Sequence, residues 1–189
     1  NLKVIINSRN FGHIRSPFYG LLQTKGDASI FLNADFQDPP ELIPDYIKSW
    51  EKGYRITLAQ KTKTNDSFIM KFLKNFFYKT LNAISKINLP LYVTGSGIYD
   101  KKIIELFRQI NDPYPYLRGL VAELEGDINL IEFEQPKRLR GKSNNNFFTL
   151  YDYVILGLVK HSSAPLRFAI LFGFFSSFIS CFFGIVYFF

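Results

Sequence analysis

The chain has 189 residues, 47% of them hydrophobic and 21% charged, with a formal net charge of +7. This length supports one domain with a buried core, and a single cysteine excludes internal disulfides and a thiolate metal site. The basic balance would suit nucleic acid or a membrane surface, but many basic residues lie shortly before an apolar C-terminal segment, which disfavours nucleic acid.

The N-terminal region predicts a strand, a helix and a second strand. An apolar run at 2–6 is typical of a strand, a polar turn follows it, and Ile14 to Thr24 predict a helix that closes at Gly26. The next apolar run, at 28–33, predicts the second strand. Together these segments predict a βαβ unit of an α/β sheet.

An acidic stretch follows the second predicted strand. Residues 32–41 are Leu-Asn-Ala-Asp-Phe-Gln-Asp-Pro-Pro-Glu, which places Asp35 and Asp38 beyond the carboxyl end of that strand. Open α/β sheets form their ligand crevices at this edge, and carboxylates there suit a divalent cation bound to a diphosphate. The spacing alone also predicts a helix start with Asp38 as its N-cap, and Pro44 offers an alternative first turn.

The central region predicts further strands and helices in alternation. They cover Tyr54–Gln60 (strand), Phe68–Ser85 (helix), Leu91–Thr94 (strand), Lys101–Ile110 (helix), Pro115–Glu123 (helix) and Ile128–Glu134 (strand). Asp100 precedes one helix as its expected N-cap. The helix over 68–85 has an apolar face that includes Phe72 and Phe76. This face would pack against the sheet, against a second copy in a homo-oligomer, or against a membrane surface.

The last part of the chain predicts two helices of different character. From Leu166 to Phe189 the only charge is Arg167, and the roughly 22 residues after it would span about 33 Å as a helix, enough to cross a bilayer. The amphipathic, aromatic-rich stretch at 147–160 predicts an interfacial helix. The expected divisions are 1–145 for the α/β domain, 146–164 for the interfacial helix and 165–189 for the transmembrane helix.

Basic residues concentrate near the predicted membrane segment. They comprise Lys137, Arg138, Arg140, Lys142, Lys160 and Arg167. Because Lys and Arg beside a transmembrane helix mark its cytoplasmic side, we expect the domain in the cytosol, with a bacterial plasma membrane favoured over the endoplasmic reticulum. No recognition motif or stacking platform accompanies the charge, so a nucleic-acid partner is not expected.

Several motifs together resemble one protein family. The stretch at 32–41 is similar to the aspartate signature of family 2 glycosyltransferases, in the branch that transfers sugars to polyprenyl phosphates. Further segments resemble the same branch in order: Arg9-Asn10-Phe11-Gly12-His13, Gly26-Asp27-Ala28, Tyr99-Asp100-Lys101-Lys102, Arg118-Gly119-Leu120 and Arg140-Gly141-Lys142-Ser143. The resemblance implies a partial GT-A domain, which is a Rossmann-like α/β fold. It also implies inverting transfer of a sugar from a nucleotide-diphosphate donor to a polyprenyl phosphate.

The same resemblance implies that two parts of the family's architecture are absent from these residues. They are an earlier βα unit that contacts the nucleotide base and a second membrane helix. We therefore expect little activity from the 189 residues alone.

The resemblance also implies the site residues. Asp35 and Arg140 would be catalytic, and Asp35 with Asn33 would hold Mg²⁺ or Mn²⁺. The expected contacts to the donor diphosphate are Arg9, Asn33, Ala34, Asp35, Gln37 and Asp38. The expected contacts to the acceptor phosphate are Arg138, Arg140, Lys142 and Ser143. Without the family, a basic segment such as 137–143 would be read as solvated or as attracting anionic lipid.

Two positions depart from the family pattern. Asn33 stands where the signature usually begins with Asp, which exchanges an anionic ligand for a neutral one. Gly95 stands where many relatives have an Asp as a candidate base. A phosphate monoester has a second pKa of about 6 and is already mostly ionised at neutral pH, so Gly95 favours a phosphate acceptor over a sugar hydroxyl.

Two alternative functions stay open at this point. One is a transferase for a modified sugar, such as an aminopentose used in envelope modification. The other is a membrane-anchored binding protein that keeps the fold without catalysis. Metal-dependent nucleotide binding through Asp35 would discriminate between catalytic and non-catalytic readings.

Overall fold

The computed structural model describes residues 2–63, 68–84, 92–124, 126, 128–136 and 147–189. In chain order the elements are α1 (Gly12–Leu22), β1 (Ala28–Phe31), a 3₁₀ turn (Pro40–Leu42), α2 (Ile43–Glu51), β2 (Ile56–Lys63), α3 (Phe68–Ile84), β3 (Val93–Asp100), α4 (Lys101–Ile110), α5 (Leu117–Glu123), β4 (Ile128–Glu134), α6 (Phe147–His161) and α7 (Ala164–Phe188). Helices that surround one sheet confirm the predicted α/β class.

The four strands form one mixed sheet in the order β1-β3-β2-β4. β3 runs antiparallel to both of its neighbours, whereas β2 and β4 are parallel. β3 continues to Asp100, well past the predicted end at Thr94. Gly97 permits this strand to approach β2, because a Cβ there would lie 2.0 Å from the carbonyl oxygen of Thr57.

Helices cover both faces of the sheet. Successive side chains of a strand point to opposite faces. Leu58 and Tyr99 therefore pack with α1, α4 and α5, while Ala59 and Ile98 pack with α2. Phe107 of α4 is fully buried in the larger of these two clusters. The loop that follows β1 thus leaves a sheet supported from both sides.

The predicted strand over 2–6 is wrong. Residues 2–7 have no regular secondary structure, and the side chains of Leu2 and Ile6 are 92% and 89% exposed. A strand needs a partner for its backbone hydrogen bonds, and this segment pairs with none of the strands in the described sheet. Of the predicted βαβ unit, only the helix α1 and the second strand β1 are present.

The predicted helix start at Asp38 is also wrong. α2 begins at Ile43 and holds Pro44 in its first turn, after the short 3₁₀ turn. The alternative interpretation of Pro44 as the first turn is therefore confirmed. Proline suits this position because its fixed φ is helical and the first-turn N–H has no intrahelical partner.

Three apolar side chains of α3 are not covered by the sheet. Phe72, Leu73 and Phe76 are 63%, 52% and 62% exposed. Packing of these three side chains against the sheet, one of the predicted alternatives, is therefore wrong. A second copy of the chain and a membrane surface stay as predicted partners of this face.

The C-terminal end of α6 is held against the α/β domain by polar contacts. Lys160 Nζ lies 2.6 and 2.7 Å from the two carboxylate oxygens of Asp112, and His161 Nδ1 lies 2.8 Å from Glu123 Oε1. Just beyond the helix, Ser162 Oγ donates to the carbonyl oxygen of the last α3 residue at 2.9 Å. The helix predicted over 147–160 is confirmed, and its interfacial location stays a prediction.

A glycine on α5 makes room for this end of α6. A Cβ at Gly119 would lie 1.8 Å from His161 Nε2, so the imidazole ring occupies the space that any other residue would fill. The ring also lies against Tyr116, with 5.6 Å between ring centroids. The junction between α6 and the domain is therefore closely packed.

α7 is, within the described part of the chain, the one helix long and apolar enough to cross a membrane by length and composition. Its most apolar window has a mean hydropathy of 2.2, and none of that window is buried in the structure. The helix begins at Ala164, two residues before the predicted apolar stretch at Leu166. These properties support membrane association, and the direction of crossing stays a prediction.

Candidate active site

The stretch after β1 folds back so that both of its ends meet β3. Asn33 Nδ2 donates to Asp38 Oδ2 at 2.5 Å and lies 3.3 Å from Ser96 Oγ. Ser96 Oγ donates to the same Asp38 oxygen at 2.5 Å. Because an ionised carboxylate only accepts hydrogen bonds, the amide of Asn33 must present its nitrogen here. We call Asn33, Asp38 and Ser96 the loop clamp.

Asp38 is buried within the clamp. Asp38 is only 2% exposed. Its second carboxylate oxygen, Oδ1, has no hydrogen-bond partner among the described residues. The hydroxyl of Tyr46 on α2 likewise has none in that part of the chain. Burial, with a smaller contribution from the charge of Asp38, raises the pKa of Tyr46 above its ordinary value, so the phenol stays protonated.

The predicted role of Asp38 as a helix N-cap is wrong. Its side chain makes no capping hydrogen bond, and the residues at the N-cap positions of the 3₁₀ turn and of α2 are Pro39 and Leu42. Asp38 instead accepts a hydrogen bond from the hydroxyl of Ser96 on β3. Its carboxylate therefore anchors the loop.

Asp35 lies on the turn between the two ends of the clamp. Its Oδ1 accepts a hydrogen bond from the backbone N–H of Gln37 at 3.2 Å, in the manner of an Asx turn, and Phe36 has a positive φ of 56°. Asp35 and Gln37 are partly exposed, whereas Asn33 and Ala34 are exposed. The turn thus places the partly exposed carboxylate of Asp35 just beyond the end of β1.

The oxygen donors on this turn fit a hard divalent cation. They are the carboxylate of Asp35 and the amide oxygen of Asn33, and Mg²⁺ and Mn²⁺ prefer such ligands. No group of three His, Cys, Asp or Glu residues with metal-site geometry occurs in the described ranges.

Gly95, at the position of the family's candidate base, and the nearby Asp100 both take part in hydrogen bonds within the fold. The carbonyl oxygen of Gly95 accepts a hydrogen bond from Tyr99 Oη at 2.5 Å. Asp100 caps α4: its Oδ1 accepts from the backbone N–H of Lys102 at 2.9 Å, and its Oδ2 accepts from Trp50 Nε1 at 2.8 Å. The predicted capping role of Asp100 is confirmed, and both of its oxygens are engaged.

The other predicted site residues come from two further parts of the sequence. Arg9 is exposed, its guanidinium lies 4.9 Å from the centroid of the Phe11 ring, and it makes no hydrogen bond or ion pair to the loop within the described chain. The predicted acceptor-phosphate residues Arg138, Arg140, Lys142 and Ser143 lie outside the described residues. The structure therefore brings together the predicted residues at 33–38.

Sequence reasoning missed a half-buried cation that contacts the strand carrying Ser96. Arg118 on α5 donates to Tyr78 Oη and to the carbonyl oxygen of Thr94 on β3, each at 3.3 Å. Tyr116 and Tyr153 also lie around this guanidinium. Burial raises the pKa of Tyr116 to about 12, although the charge of Arg118 opposes the shift, so this phenol is neutral at physiological pH. Arg118 links α3 and α5 to the strand that carries the clamp serine.

The sequence offers little signal for these missed residues. Ser96 stands in a Gly-Ser-Gly stretch that is typical of a turn, and Tyr46 is one apolar position of an amphipathic helix. Arg118 belongs to one of the motifs that carry the family resemblance, but that motif predicts no role for its side chain. Their partners lie far away in sequence, so only the fold reveals them.

Comparison with known proteins identifies the family of the chain. A family model described as "Glycosyl transferase family 2" matches residues 1–107, more than half of the chain. The chain belongs to this family. The match includes the loop clamp and Asp35, and members of family 2 generally depend on a divalent metal.

Curated relatives share the family and differ in what their names state. The chain is 30% identical over 169 residues to the protein named uncharacterized glycosyltransferase YkcC of Bacillus subtilis (strain 168), covering 89% of this chain and 52% of that protein. It is 28% identical over 166 residues to the putative glycosyltransferase CsbB of the same organism, covering 88% and 50%. It is 29% identical over 178 residues to the bactoprenol glucosyl transferase of Shigella phage SfX, covering 94% and 58%. The chain thus spans about half the length of these relatives.

Proposed function

We propose that the protein is a membrane-bound inverting glycosyltransferase. It would move a sugar from a nucleotide-diphosphate sugar to a polyprenyl phosphate at the cytosolic face of a bacterial plasma membrane. The observation that carries the proposal is the anchored turn at 33–38, which presents the Asp35 carboxylate at the end of β1 in a family 2 domain. Relatives named bactoprenol glucosyl transferase support a polyprenyl acceptor, and α7 supports a membrane location.

On the donor side, Asp35 would hold Mg²⁺ or Mn²⁺ against the diphosphate. The cation would neutralise the negative charge that develops on the leaving diphosphate. Ala34 and Gln37 flank Asp35 on the same turn and are the proposed neighbouring contacts to the donor. Because the turn is hydrogen-bonded at both ends, these groups would meet the donor with little reorganisation.

On the acceptor side, a phosphate oxygen would attack the anomeric carbon in line. The bond from that carbon to the donor diphosphate breaks as the new bond forms, which inverts the configuration. The acceptor phosphate is ionised at neutral pH because its second pKa is about 6, so no protein base must remove a proton. A glycine at position 95 and a helix-capping Asp100 agree with such an acceptor.

The basic segment before α6 is the proposed binding site for the acceptor phosphate. The contacts proposed there are Arg138, Arg140, Lys142 and Ser143. Arginine pairs bidentately with phosphate, and Arg140 would also stabilise charge in the transition state. The proposed headgroup level of α6 would bring this segment to the depth at which a lipid phosphate lies.

Sugar transfer in membranes that contain the full-length protein tests the proposal. Labelled UDP- and GDP-sugars are supplied with polyprenyl phosphate in the presence of Mn²⁺ or EDTA. We expect metal-dependent labelling of the lipid and a loss of about 100-fold or more in Asp35→Asn, because a neutral amide replaces the charged ligand. Asp45→Asn is the matched control, since Asp45 makes only an exposed ion pair with Lys48 at 3.4 Å.

Three other results would change the conclusion. Equal rates in Asp35→Asn and the wild type would contradict the role of Asp35. Labelling only from an aminopentose donor would favour the transferase for a modified sugar. A folded protein that labels no lipid with any donor would favour the non-catalytic binding protein.

A further inference from the structure

Asn33 is the position at which the loop departs from the family signature, and its nitrogen is committed within the protein. Nδ2 lies 2.5 Å from Asp38 Oδ2 and 3.3 Å from Ser96 Oγ. We propose that Asn33 is a positioning residue, which fixes the turn of Asp35 through the loop clamp. The inference rests on the proposed function for the role of Asp35.

In this chain the clamp uses a hydrogen-bond donor at position 33. Asp38 is 2% exposed, and no described Lys or Arg forms an ion pair with it. Its charge is therefore stabilised by hydrogen bonds, and Asn33 supplies one of the two that reach Oδ2. An aspartate at position 33 would remove this donor and bring a second acceptor-only group to the same distance.

The clamp determines where the carboxylate of Asp35 lies. Asn33 and Asp38 bracket the turn, and Ser96 ties both of them to β3, where it is fully buried. The turn between them is short and contains the Asx-type bond to Gln37. Loss of the Asn33 amide would free one end of the turn and displace Asp35 relative to the sheet.

The test compares variants of the full-length protein in detergent by two readouts. The Tm measured without metal shows how much the clamp stabilises the fold. Electron paramagnetic resonance of free Mn²⁺ in the presence of UDP measures metal binding. We expect Asn33→Asp to lower Tm on the order of 10 °C because a second carboxylate faces a buried one. We expect Asn33→Ala to weaken Mn²⁺ binding by about tenfold, as is typical for loss of a residue that orients a ligand.

The opposite pattern would overturn the inference. If Asn33→Asp keeps the wild-type Tm and binds Mn²⁺ more tightly, position 33 faces the metal and the clamp is dispensable. Asn7→Asp is the matched control, because Asn7 donates to Ser16 Oγ at 3.1 Å on the exposed surface, and its Tm should not change.

A double-mutant cycle decides the matter if Asn33→Asp does not fold. Asn33→Ala and Ser96→Ala remove two donors to one Asp38 oxygen, so their effects on Tm should not add, whereas simple additivity would refute the clamp. Asp35→Asn should lose Mn²⁺ binding. A wild type that binds no Mn²⁺ with UDP would defeat the proposed function, while the Tm series would still test the clamp.

Discussion

Asp35 and Asp38 lie three residues apart and differ in role because only one of them is buried. Asp38 exchanges solvent for hydrogen bonds from Asn33 and Ser96, which suits an anchor. Asp35 keeps partial contact with solvent on the turn between them, which suits a group that meets a ligand. The difference in burial comes from β3, since Ser96 on that strand is the buried hydrogen-bond partner of Asp38.

Buried tyrosines predict a loss of stability at alkaline pH. Burial raises the pKa of Tyr116 to about 12 and raises that of Tyr99 further, whereas an unfolded tyrosine has a pKa of about 10. Between about pH 10 and 12 the unfolded chain releases protons that the folded chain retains, so the free energy of unfolding falls as pH rises. Denaturant unfolding measured from pH 8 upward should show this decline begin near pH 10.

A matched variant isolates the contribution of one phenol. Tyr116→Phe removes a titrating group, so its stability should decline less steeply above pH 10 than that of the wild type. A stability that stays constant from pH 8 to pH 12 in the wild type would contradict the assignment.

At the scale of elements, the contact between α5 and α6 depends on the absence of a side chain. Gly119→Ala would force a methyl group into the ring of His161, so we expect α6 to shift and the free energy of unfolding to fall by about 1–3 kcal/mol. Gly20→Ala is the control, because Gly20 lies within α1 and a Cβ there meets no atom within 4 Å. Alanine favours helix over glycine, so Gly20→Ala should be neutral or stabilising.

Gly119→Ala and Gly20→Ala are compared by their free energies of unfolding and by limited proteolysis. We expect faster cleavage between α5 and α7 in Gly119→Ala than in Gly20→Ala, since a displaced α6 opens more often. Equal stability and equal cleavage of the two variants would show that the ring of His161 can move aside at no cost.

The elements that could be predicted are those whose residues carry their own signal. α4 has both an N-cap at Asp100 and a helical apolar period, and its predicted range of Lys101–Ile110 is confirmed. β4 is likewise confirmed over Ile128–Glu134. β3 was predicted too short, because glycines are unfavourable in an isolated strand and the close approach of β2 that favours Gly97 appears only in the fold. The strand predicted over 2–6 failed for the converse reason: an apolar run without a pairing partner has no sheet to join.

The candidate site was predictable in the same partial way. Local sequence and family resemblance together indicated the acidic stretch at 33–38 as the candidate site. The clamp was not predictable, because Ser96 follows Asn33 by 63 residues and no local pattern connects them. The different burial of Asp35 and Asp38 is therefore visible only in the fold.

At the scale of the whole molecule, the proposed membrane topology can be tested with the chain's one cysteine. Cys181 lies in α7, about 26 Å along the helix from Ala164. In sealed vesicles we expect Cys181 to resist a membrane-impermeant maleimide from either side and to react after denaturation. Rapid labelling of Cys181 in intact vesicles would contradict a spanning helix.

The side on which the domain lies needs a second probe. Ser8 is in the exposed segment before α1, so Ser8→Cys in a Cys181→Ser background gives a single thiol within these 189 residues. We expect this thiol to react in inverted vesicles and not in right-side-out vesicles, because the basic residues before α7 favour a cytosolic domain. The reverse pattern would place the domain outside the cytosol.

The reliance of the loop on β3 has a consequence for the order in which the protein folds. Asp38 and Ser96 are 58 residues apart, and β1 has no other strand neighbour in the described sheet. A nascent chain that has reached only α2 therefore lacks the partner of its acidic loop. Closing so long a chain segment carries an entropic cost that is offset only after β3 has docked. We therefore expect the ability to bind a donor to appear late in folding. The time at which donor binding appears would report when the sheet is complete.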